Sequence, residues 1–387
     1  MKKSLVVLAL VGMVLVICST SFAANTFVVT NDDNCGASSN TSSIYTLNTS
    51  NGTLTLYKTL STGGLGNCGG FFATVGNAVT QNAKCLFVMD GGTSDIAAFS
   101  VPALTKVGNY SNAAVAAGFP GGSMALTPNS KYLYETYAGT ENIGAWSVGS
   151  NCSLTFIAAY QASYAIDTYS NLVVDPTGAG LIVSVDDYGA LEAFKINSNG
   201  TLKDLGYADL NNTNCSGIDG CFPTGLDLSK KEFLVVGNAT FASSGFTAQL
   251  KASSPYFTNV TYVDLTNSAA MINNEVPWMD KAAYTTGTGN VYWGFSGFGA
   301  GYPAGVLQSS LAGGAITVGT ATGITSTNGY DGVIQNTGKW MVVAEWFNQL
   351  QVFSIGNNGG LTATSQGPVT DANADGAISF FIYPSTR

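Results

Sequence analysis

An aromatic residue in a short apolar run recurs through this chain at a nearly constant interval. The runs are SSIYTL, DIAAFSV, NIGAWSV, ALEAFKI and QLQVFSI, and their aromatic residues are Tyr45, Phe99, Trp146, Phe194 and Phe353. The successive gaps are 54, 47, 48 and 159 residues, and the last gap is three times 53. A fixed period of this size is the signature of a repeat architecture. Two further, degraded copies therefore belong between Phe194 and Phe353.

The clearest copy of the unit is the stretch Gly122–Val148, which contains three strands and two turns. Its runs have strand length and are rich in β-branched and aromatic residues, which favours strand over helix. The first turn, Thr127–Ser130, contains a proline that fixes φ and polar side chains that satisfy a turned backbone. A fourth strand follows turns such as Asn51-Gly52 and Asn199-Gly200, and Asn-Gly is the strongest short hairpin signal.

Seven such units can be aligned, and the two degraded ones begin near Phe222 and Val276. The first strand-like run after residue 24 is TFVVT, which matches a second strand, and the last is AISFFIYP, which matches a first strand. We therefore predict an all-β fold: a seven-bladed β-propeller with four-stranded antiparallel blades, the first blade closed by the C-terminal strand. A β-sandwich is the alternative, but it explains neither the repeat nor the split first unit.

Three short motifs resemble a known family of propellers. The motifs are Val28-Val29-Thr30-Asn31, Pro128-Asn129-Ser130-Lys131-Tyr132-Leu133-Tyr134 and Asp175-Pro176-Thr177-Gly178. They are similar to the YVTN and PDGKYLYV signatures of lactonase-like seven-bladed propellers, which include 6-phosphogluconolactonase of the cycloisomerase type. The resemblance covers essentially the whole exported chain and implies the propeller fold. Its motifs are strand and turn residues, so it implies little about chemistry.

The N-terminus has the pattern of a secretory signal peptide. Two lysines follow Met1, an apolar run extends from Leu5 to Ile17, and small residues precede Ala24. This pattern predicts a signal peptide at residues 1–23 and a single propeller domain at 24–387. A lipoprotein anchor at Cys18 and a membrane-spanning helix are the alternatives, but Ile17 is not a small residue and the run is too short to span. We expect a secreted or periplasmic protein with no membrane span in the mature chain.

Six cysteines remain after removal of the signal peptide, an even number that predicts disulfides in an exported chain. A zinc site is the alternative, but the sequence has no histidine and no CxxC pair. Six cysteines allow about 15 pairings. The positions of the cysteines in the aligned units predict the pairs Cys35–Cys68, Cys85–Cys152 and Cys215–Cys221.

The charge balance excludes two classes of partner. The chain has 23 acidic and 14 basic residues, a formal net charge of −9, and Arg387 as its only arginine. Nucleic acid requires a basic face for its phosphates, so we expect no nucleic-acid partner. A phosphorylated sugar lactone also needs cationic donors, preferably arginine. Activity as a 6-phosphogluconolactonase is therefore not expected, and whether the chain is an enzyme stays open.

Acidic residues recur where loops should surround the mouth of the central channel. Such a set of hard oxygen ligands would suit Ca²⁺ or another divalent cation, although no cofactor is certain, and a bound cation could polarise a lactone carbonyl. Ordinary turn chemistry is the alternative explanation for aspartates before glycines. The candidate metal ligands are Asp32, Asp90, Asp186, Asp331 and Asp375, and the candidate catalytic acids are Asp331, Glu345 and Asp375.

Aromatic residues cluster in the glycine-rich stretch GNVYWGFSGFGAGYP and in the unit that follows it. Tyr292 and Trp340 lie within predicted strands and are expected to pack in the core. Phe298, Tyr302 and Trp346 lie in predicted loops, where flat rings can contact a ligand. We therefore expect a binding or scaffold module whose channel-mouth loops take a carbohydrate, peptide or protein. The alternatives are a metal-assisted lactone or ester hydrolase and a subunit of an extracellular assembly.

Overall fold

The computed structural model describes residues 26–36, 39–66, 76–101, 103–115, 122–137, 142–161, 169–185, 189–210, 222–228, 233–239, 246–251, 256–257, 261–264, 277–278, 284–285, 289–297, 305–312, 315–323, 334–345, 348–374 and 379–383. Within these ranges the regular secondary structure is strand, apart from one 3-10 helix at Ala113–Val115, and turns connect the strands. None of the described residues belongs to a helix with the length and hydropathy needed to cross a membrane.

The strands follow one another in the order β1 (Thr26–Asn31), β2 (Thr41–Leu47), β3 (Leu54–Ser61), β4 (Asn77–Val79), β5 (Cys85–Asp90), β6 (Asp95–Ser100), β7 (Thr105–Tyr110), β8 (Gly122–Leu126), β9 (Tyr132–Tyr137), β10 (Asn142–Val148), β11 (Leu154–Gln161), β12 (Tyr169–Val174), β13 (Gly180–Val185), β14 (Ala190–Ile196), β15 (Leu202–Asp209), β16 (Phe222–Leu228), β17 (Phe233–Ala239), β18 (Phe246–Lys251), β19 (Thr261–Asp264), β20 (Pro277–Trp278), β21 (Tyr284–Thr285), β22 (Asn290–Gly297), β23 (Gly305–Ala312), β24 (Ala315–Gly323), β25 (Ile334–Asn336), β26 (Trp340–Glu345), β27 (Gln349–Ile355), β28 (Leu361–Ala363), β29 (Val369–Thr370) and β30 (Ser379–Tyr383).

The described strands form antiparallel sheets that we number in chain order. Sheet 1 has the order β3-β2-β1-β30, and sheets 2 to 5 are β4–β7, β8–β11, β12–β15 and β16–β19. Sheet 6 is β20-β22-β23-β24 with β21 also on β22, and sheet 7 is β25-β26-β27-β28 with β29 also on β27. The C-terminal strand β30 lies outside the last sheet and pairs with β1, with Val28 opposite Ile382.

The predicted fold class, seven blades of four strands each, is wrong as stated, because sheets 6 and 7 contain five strands each. In sheet 6 the two short strands β20 and β21 both pair with β22. In sheet 7 a turn separates β28 from β29, and both pair with β27. Gly367 has a φ of 70° in this turn, and Pro368 has no N–H to donate to a ladder. In each of these two sheets, one strand position is occupied by two short strands, so the sheet has five strands instead of four.

Adjacent sheets pack on one another through buried apolar side chains. Val29 of sheet 1 and Val88 of sheet 2 share one core cluster, and Tyr45 of sheet 1 and Val342 of sheet 7 share another. Further clusters join sheets 2 and 3, 3 and 4, 4 and 5, and 6 and 7. Strand β16 of sheet 5 contacts β21 of sheet 6. The sheets therefore form a closed ring, the arrangement of a β-propeller.

The turn between the third and fourth strands of a sheet also contacts the preceding sheet. The Trp340 Nε1–H donates to the Thr49 carbonyl at 3.1 Å, and the Tyr134 and Tyr292 hydroxyls donate to the Gly200 and Gly359 carbonyls at 3.0 and 2.8 Å. In each case a side chain of one sheet donates a hydrogen bond to a backbone carbonyl in a turn of the next sheet. The Asn-Gly turns therefore hold the seams between blades as well as closing hairpins.

Candidate functional site

The two predicted metal ligands that the structure describes, Asp32 and Asp90, occupy equivalent places in sheets 1 and 2. Asp32 directly follows β1, and its backbone N–H donates to the Thr41 carbonyl at 3.0 Å. Asp90 is the last residue of β5 and lies opposite Asp95. Both follow a buried apolar strand at the same end of their sheets, as the sequence alignment predicts. Both side chains are fully buried, with 0% exposure.

The Asp32 carboxylate is surrounded by hydroxyl groups. It accepts hydrogen bonds from the hydroxyl of Thr30, from Thr41 Oγ1 at 2.6 Å and from Ser43 Oγ at 2.9 Å. Burial and the nearby Asp371 carboxylate raise the pKa of Asp32 from 3.8 to about 6, and the three hydroxyls partly oppose this shift. Asp32 is therefore an inward-facing carboxyl that binds a proton more readily than an exposed aspartate does.

Asp90 lies in a second pocket, between amides and the chain segment that follows β3. Asn40 Nδ2 donates to Asp90 Oδ1 at 2.8 Å. Gly64 covers the carboxylate so closely that a Cβ at position 64 would lie 2.5 Å from Asp90 Oδ2. Burial raises the pKa of Asp90 from 3.8 to about 7, against the opposing effect of hydrogen bonds from Thr62 and Asn40. Asp95 adds a smaller upward contribution to the pKa.

Two asparagines connect the pockets of sheets 1 and 2. Asn40 Nδ2 also donates to Asn31 Oδ1 at 2.8 Å, and Asn31 Nδ2 donates to the Met89 carbonyl at 2.8 Å. The Asn40 carbonyl accepts from the backbone and the hydroxyl of Thr62, at 2.9 and 2.8 Å. This chain of hydrogen bonds fixes the ends of strands in both sheets. Asn40 precedes a third strand and has no repeat signal, so sequence reasoning missed it.

Sequence reasoning also missed Asp371, which lies just beyond β29 and is fully buried. Its backbone N–H donates to the Asn348 carbonyl at 2.7 Å, and its Oδ1 accepts from Asn373 N at 3.0 Å and lies 3.2 Å from Ser43 Oγ. Burial, followed by the Asp371 carboxylate, raises the pKa of Tyr45. Asp371 therefore brings a second carboxyl group from sheet 7 to the Asp32 pocket.

The other predicted site residues cannot be placed together with Asp32 and Asp90. Glu345 is the last residue of β26 and pairs with Gln349, which puts it in the strand position that Asp90 has in sheet 2. Within the described ranges, no group of three or more acidic, cysteine or histidine residues is arranged to hold a metal ion. The remaining candidates lie outside the described residues: Asp186, Asp331, Asp375, Phe298, Tyr302 and Trp346.

One predicted disulfide is confirmed. Cys85 and Cys152 are bonded, with their Cα atoms 5.4 Å apart, and they join the start of β5 in sheet 2 to the turn before β11 in sheet 3. Cys35 is also disulfide-bonded. The pairs Cys35–Cys68 and Cys215–Cys221 stay predictions, because Cys68, Cys215 and Cys221 lie outside the described residues.

The aromatic residues expected in the core are buried there. Tyr292 and Trp340 have 0% and 6% exposure, and Trp293 is also buried. The hydroxyl of Tyr292 and the indole N–H of Trp340 both donate to turns of the next sheet. These two residues hold the blades together and are not available to a ligand.

Asp90 makes protein stability depend on pH in a predictable direction. Its pKa is higher in the folded chain than in the unfolded chain, so the folded state binds the proton more tightly. The contribution is fully present below the unfolded pKa of 3.8 and is lost as the pH rises through about 7. We expect the melting temperature to fall over this range and Asp90→Asn, which keeps the acceptor for Asn40, to flatten the fall. Identical pH profiles of the two proteins in differential scanning fluorimetry would contradict this assignment.

Comparison with known proteins supports the fold. No protein-family model matches the chain, and no curated protein matches it in sequence. Among solved structures, a protein of Lactobacillus plantarum superposes with a TM-score of 0.65 at 14% identity, over 92% of this chain and 99% of that one. A candidate 6-phosphogluconolactonase of Bacteroides fragilis superposes with a TM-score of 0.65 at 14% identity, over 92% of this chain and 98% of that one. The periplasmic gluconolactonase of Pseudomonas aeruginosa superposes with a TM-score of 0.50 at 16% identity, over 93% of this chain and 86% of that one. The chain thus shares the β-propeller fold of these proteins.

Proposed function

We propose that this protein is an extracytoplasmic binding module that takes its ligand on the loops at the face where the second strands end. The observation that carries this proposal is the inward orientation of Asp32 and Asp90. Both carboxyl groups are fully buried and accept hydrogen bonds from neighbouring hydroxyls and amides. Acids used in this way stabilise the bases of the loops. Recognition is then left to the loops themselves.

An uncharged carbohydrate is the ligand class that best fits the composition of these loops. The chain has 14 basic residues against 23 acidic ones, which disfavours phosphorylated or otherwise anionic ligands. In the sequence, Phe298 and Tyr302 lie in a glycine-rich stretch and Trp346 lies in a predicted loop of the next unit, and aromatic rings in such loops stack on the apolar faces of sugars. The Cys85–Cys152 disulfide supports an oxidising, extracytoplasmic location for this recognition.

Affinity electrophoresis in native gels containing neutral polysaccharides, such as xylan, galactomannan and a soluble β-glucan, tests this proposal. We expect at least one of the three to retard the wild-type protein. Replacing Phe298, Tyr302 and Trp346 together with alanine should weaken this interaction by about tenfold or more, because aromatic anchors dominate such contacts.

The matched control is Tyr57→Ala, which removes an aromatic ring that is 53% exposed on the outer strand β3, away from the channel-mouth loops. This variant should migrate like the wild type in each gel. Equal retardation of the wild type and the triple variant, or no retardation by any of the three polysaccharides, would contradict the proposal.

A lactone hydrolase is the second candidate. The fold likeness to the periplasmic gluconolactonase of Pseudomonas aeruginosa favours it. Asp331, Glu345 and Asp375 would supply the acidic groups in this case, because the sequence contains no histidine to act as a general base. A divalent cation held by such acids would polarise the lactone carbonyl.

A further inference from the structure

Two carboxyl groups from opposite ends of the chain meet at the seam between sheets 1 and 7. Asp32 and Asp371 are both fully buried, and both contact the same hydroxyl group. Ser43 Oγ lies 2.9 Å from Asp32 Oδ2 and 3.2 Å from Asp371 Oδ1. A serine hydroxyl has one proton and can donate it to only one of these oxygens at a time. Ser43 therefore cannot satisfy both carboxylates at once, although Asp32 also accepts from Ser43 N–H at 3.3 Å and Asp371 from Asn373 Nδ2 at 3.3 Å.

An unpartnered atom marks the same place. Asp371 Oδ2 is buried and accepts no hydrogen bond of normal geometry in the described part of the chain, although the Tyr45 hydroxyl interacts with the Asp371 carboxylate. A buried oxygen without a partner destabilises the fold, and more so when it carries charge. Two buried carboxylates side by side also repel each other strongly. A positive group at this point would remove both costs, and no lysine or arginine is hydrogen-bonded to either carboxylate among the described contacts.

Hydroxyl oxygens predominate around Asp32, whereas the nitrogen donors are Ser43 N on Asp32 and Asn373 N and Nδ2 on Asp371. The side chains within hydrogen-bonding distance of Asp32 are hydroxyl-bearing Thr30, Thr41 and Ser43, whose oxygens can turn a lone pair toward a cation. Carboxylate and hydroxyl oxygens are ligands for hard cations, and Ca²⁺ accepts the irregular geometry that such side chains offer more readily than Mg²⁺ does.

We propose that Asp32 and Asp371 bind one calcium ion at the seam between sheets 1 and 7. The ion would link the end of β1 to the segment after β29, so it would fasten the first sheet to the last one. Asp371 N–H already donates to Asn348 in sheet 7, while Ser43 belongs to β2 of sheet 1. This site is structural and shares Asp32 with the base of the channel-mouth loops, but Ca²⁺ binding and ligand binding are measured separately, so either proposal can fail without the other.

The test is a calcium titration of the full chain after removal of metal with a chelator. Isothermal titration calorimetry should detect one Ca²⁺ ion per chain, and the melting temperature should rise with Ca²⁺ concentration, because an ion that binds only the folded state stabilises it. Mg²⁺ should bind more weakly. Asp371→Asn should weaken Ca²⁺ binding by about tenfold or more, because it removes a charged ligand.

The matched control is Asp90→Asn, which neutralises a buried aspartate at the equivalent position of sheet 2 and should leave Ca²⁺ binding unchanged. Should Asp371→Asn fail to fold, Asp32→Asn takes its place and should weaken Ca²⁺ binding by about tenfold or more. A wild-type protein whose melting temperature does not respond to Ca²⁺ would overturn the proposal. Asp371→Asn that melts higher than the metal-free wild type, with no Ca²⁺ response in either, would show that the two carboxyls share a proton instead.

Discussion

Replacing Cys85 and Cys152 together with alanine should lower the free energy of unfolding by about 4 kcal/mol, because the disulfide closes a long loop in the unfolded chain. The two cysteines are separated by 67 residues and join sheet 2 to sheet 3. Both side chains belong to the core cluster of that seam, with 3% and 2% exposure. Alanine keeps the seam apolar, so the expected loss comes mainly from the crosslink. Chemical denaturation followed by tryptophan fluorescence measures it.

The single variant Cys85→Ala serves as the control for the crosslink. It also removes the bond and should lose nearly the same stability as the double variant, and labelling after denaturation should detect the additional free thiol of Cys152. Unfolding free energies within about 1 kcal/mol of the wild type for both variants would contradict the assigned role of the disulfide.

The second large effect is expected at Gly52, in the turn that joins sheet 1 to sheet 7. Gly52 has a φ of +75°, and a Cβ there would lie 2.5 Å from Trp340 Cζ3 and 2.9 Å from Thr364 Cγ2. Left-handed backbone costs a non-glycine residue about 1–2 kcal/mol, and overpacking a seam costs about 1–3 kcal/mol more. Gly52→Ala should therefore destabilise the protein by about 3 kcal/mol in equilibrium denaturation.

Gly367→Ala separates the cost of the left-handed backbone from the cost of the close contact with Trp340. Gly367 has nearly the same φ, +70°, but a Cβ at this position would have no atom within 4 Å among the described residues. This variant should lose only the backbone contribution of about 1–2 kcal/mol. Equal losses for Gly52→Ala and Gly367→Ala would mean that the contact with Trp340 contributes nothing to the seam.

The repeat made much of the fold predictable from the sequence. Phe99, Trp146 and Phe194 all lie on third strands and are buried at seams, because each blade must place one large side chain against its neighbour. The Asn-Gly turns were predicted as hairpins. Their contacts with Trp340 and Tyr134 were not, because a turn signal carries no information about the sheet next to it.

The departures from the repeat were not predictable. The five-stranded sheets arise where a short strand is interrupted, as at Gly367 and Pro368, and alignment to an ideal four-strand unit conceals such a break. The same break hides Asp371, because no strand pattern leads up to it. Asp32 and Asp90 were correctly placed after second strands, but the sequence could not show that their side chains turn inward. That orientation depends on Ser43 and Asn40, which come from the neighbouring strand and loop.

The measurement that tests the proposed function most directly is the hydrolysis of glucono-1,5-lactone, followed at constant pH by titration of the acid released. A binding module should leave the rate at its spontaneous value, with or without added Ca²⁺, and Asp331→Ala and Glu345→Ala should change nothing. A rate that increases in proportion to protein concentration, and that either substitution abolishes, would contradict the binding-module account and establish the hydrolase.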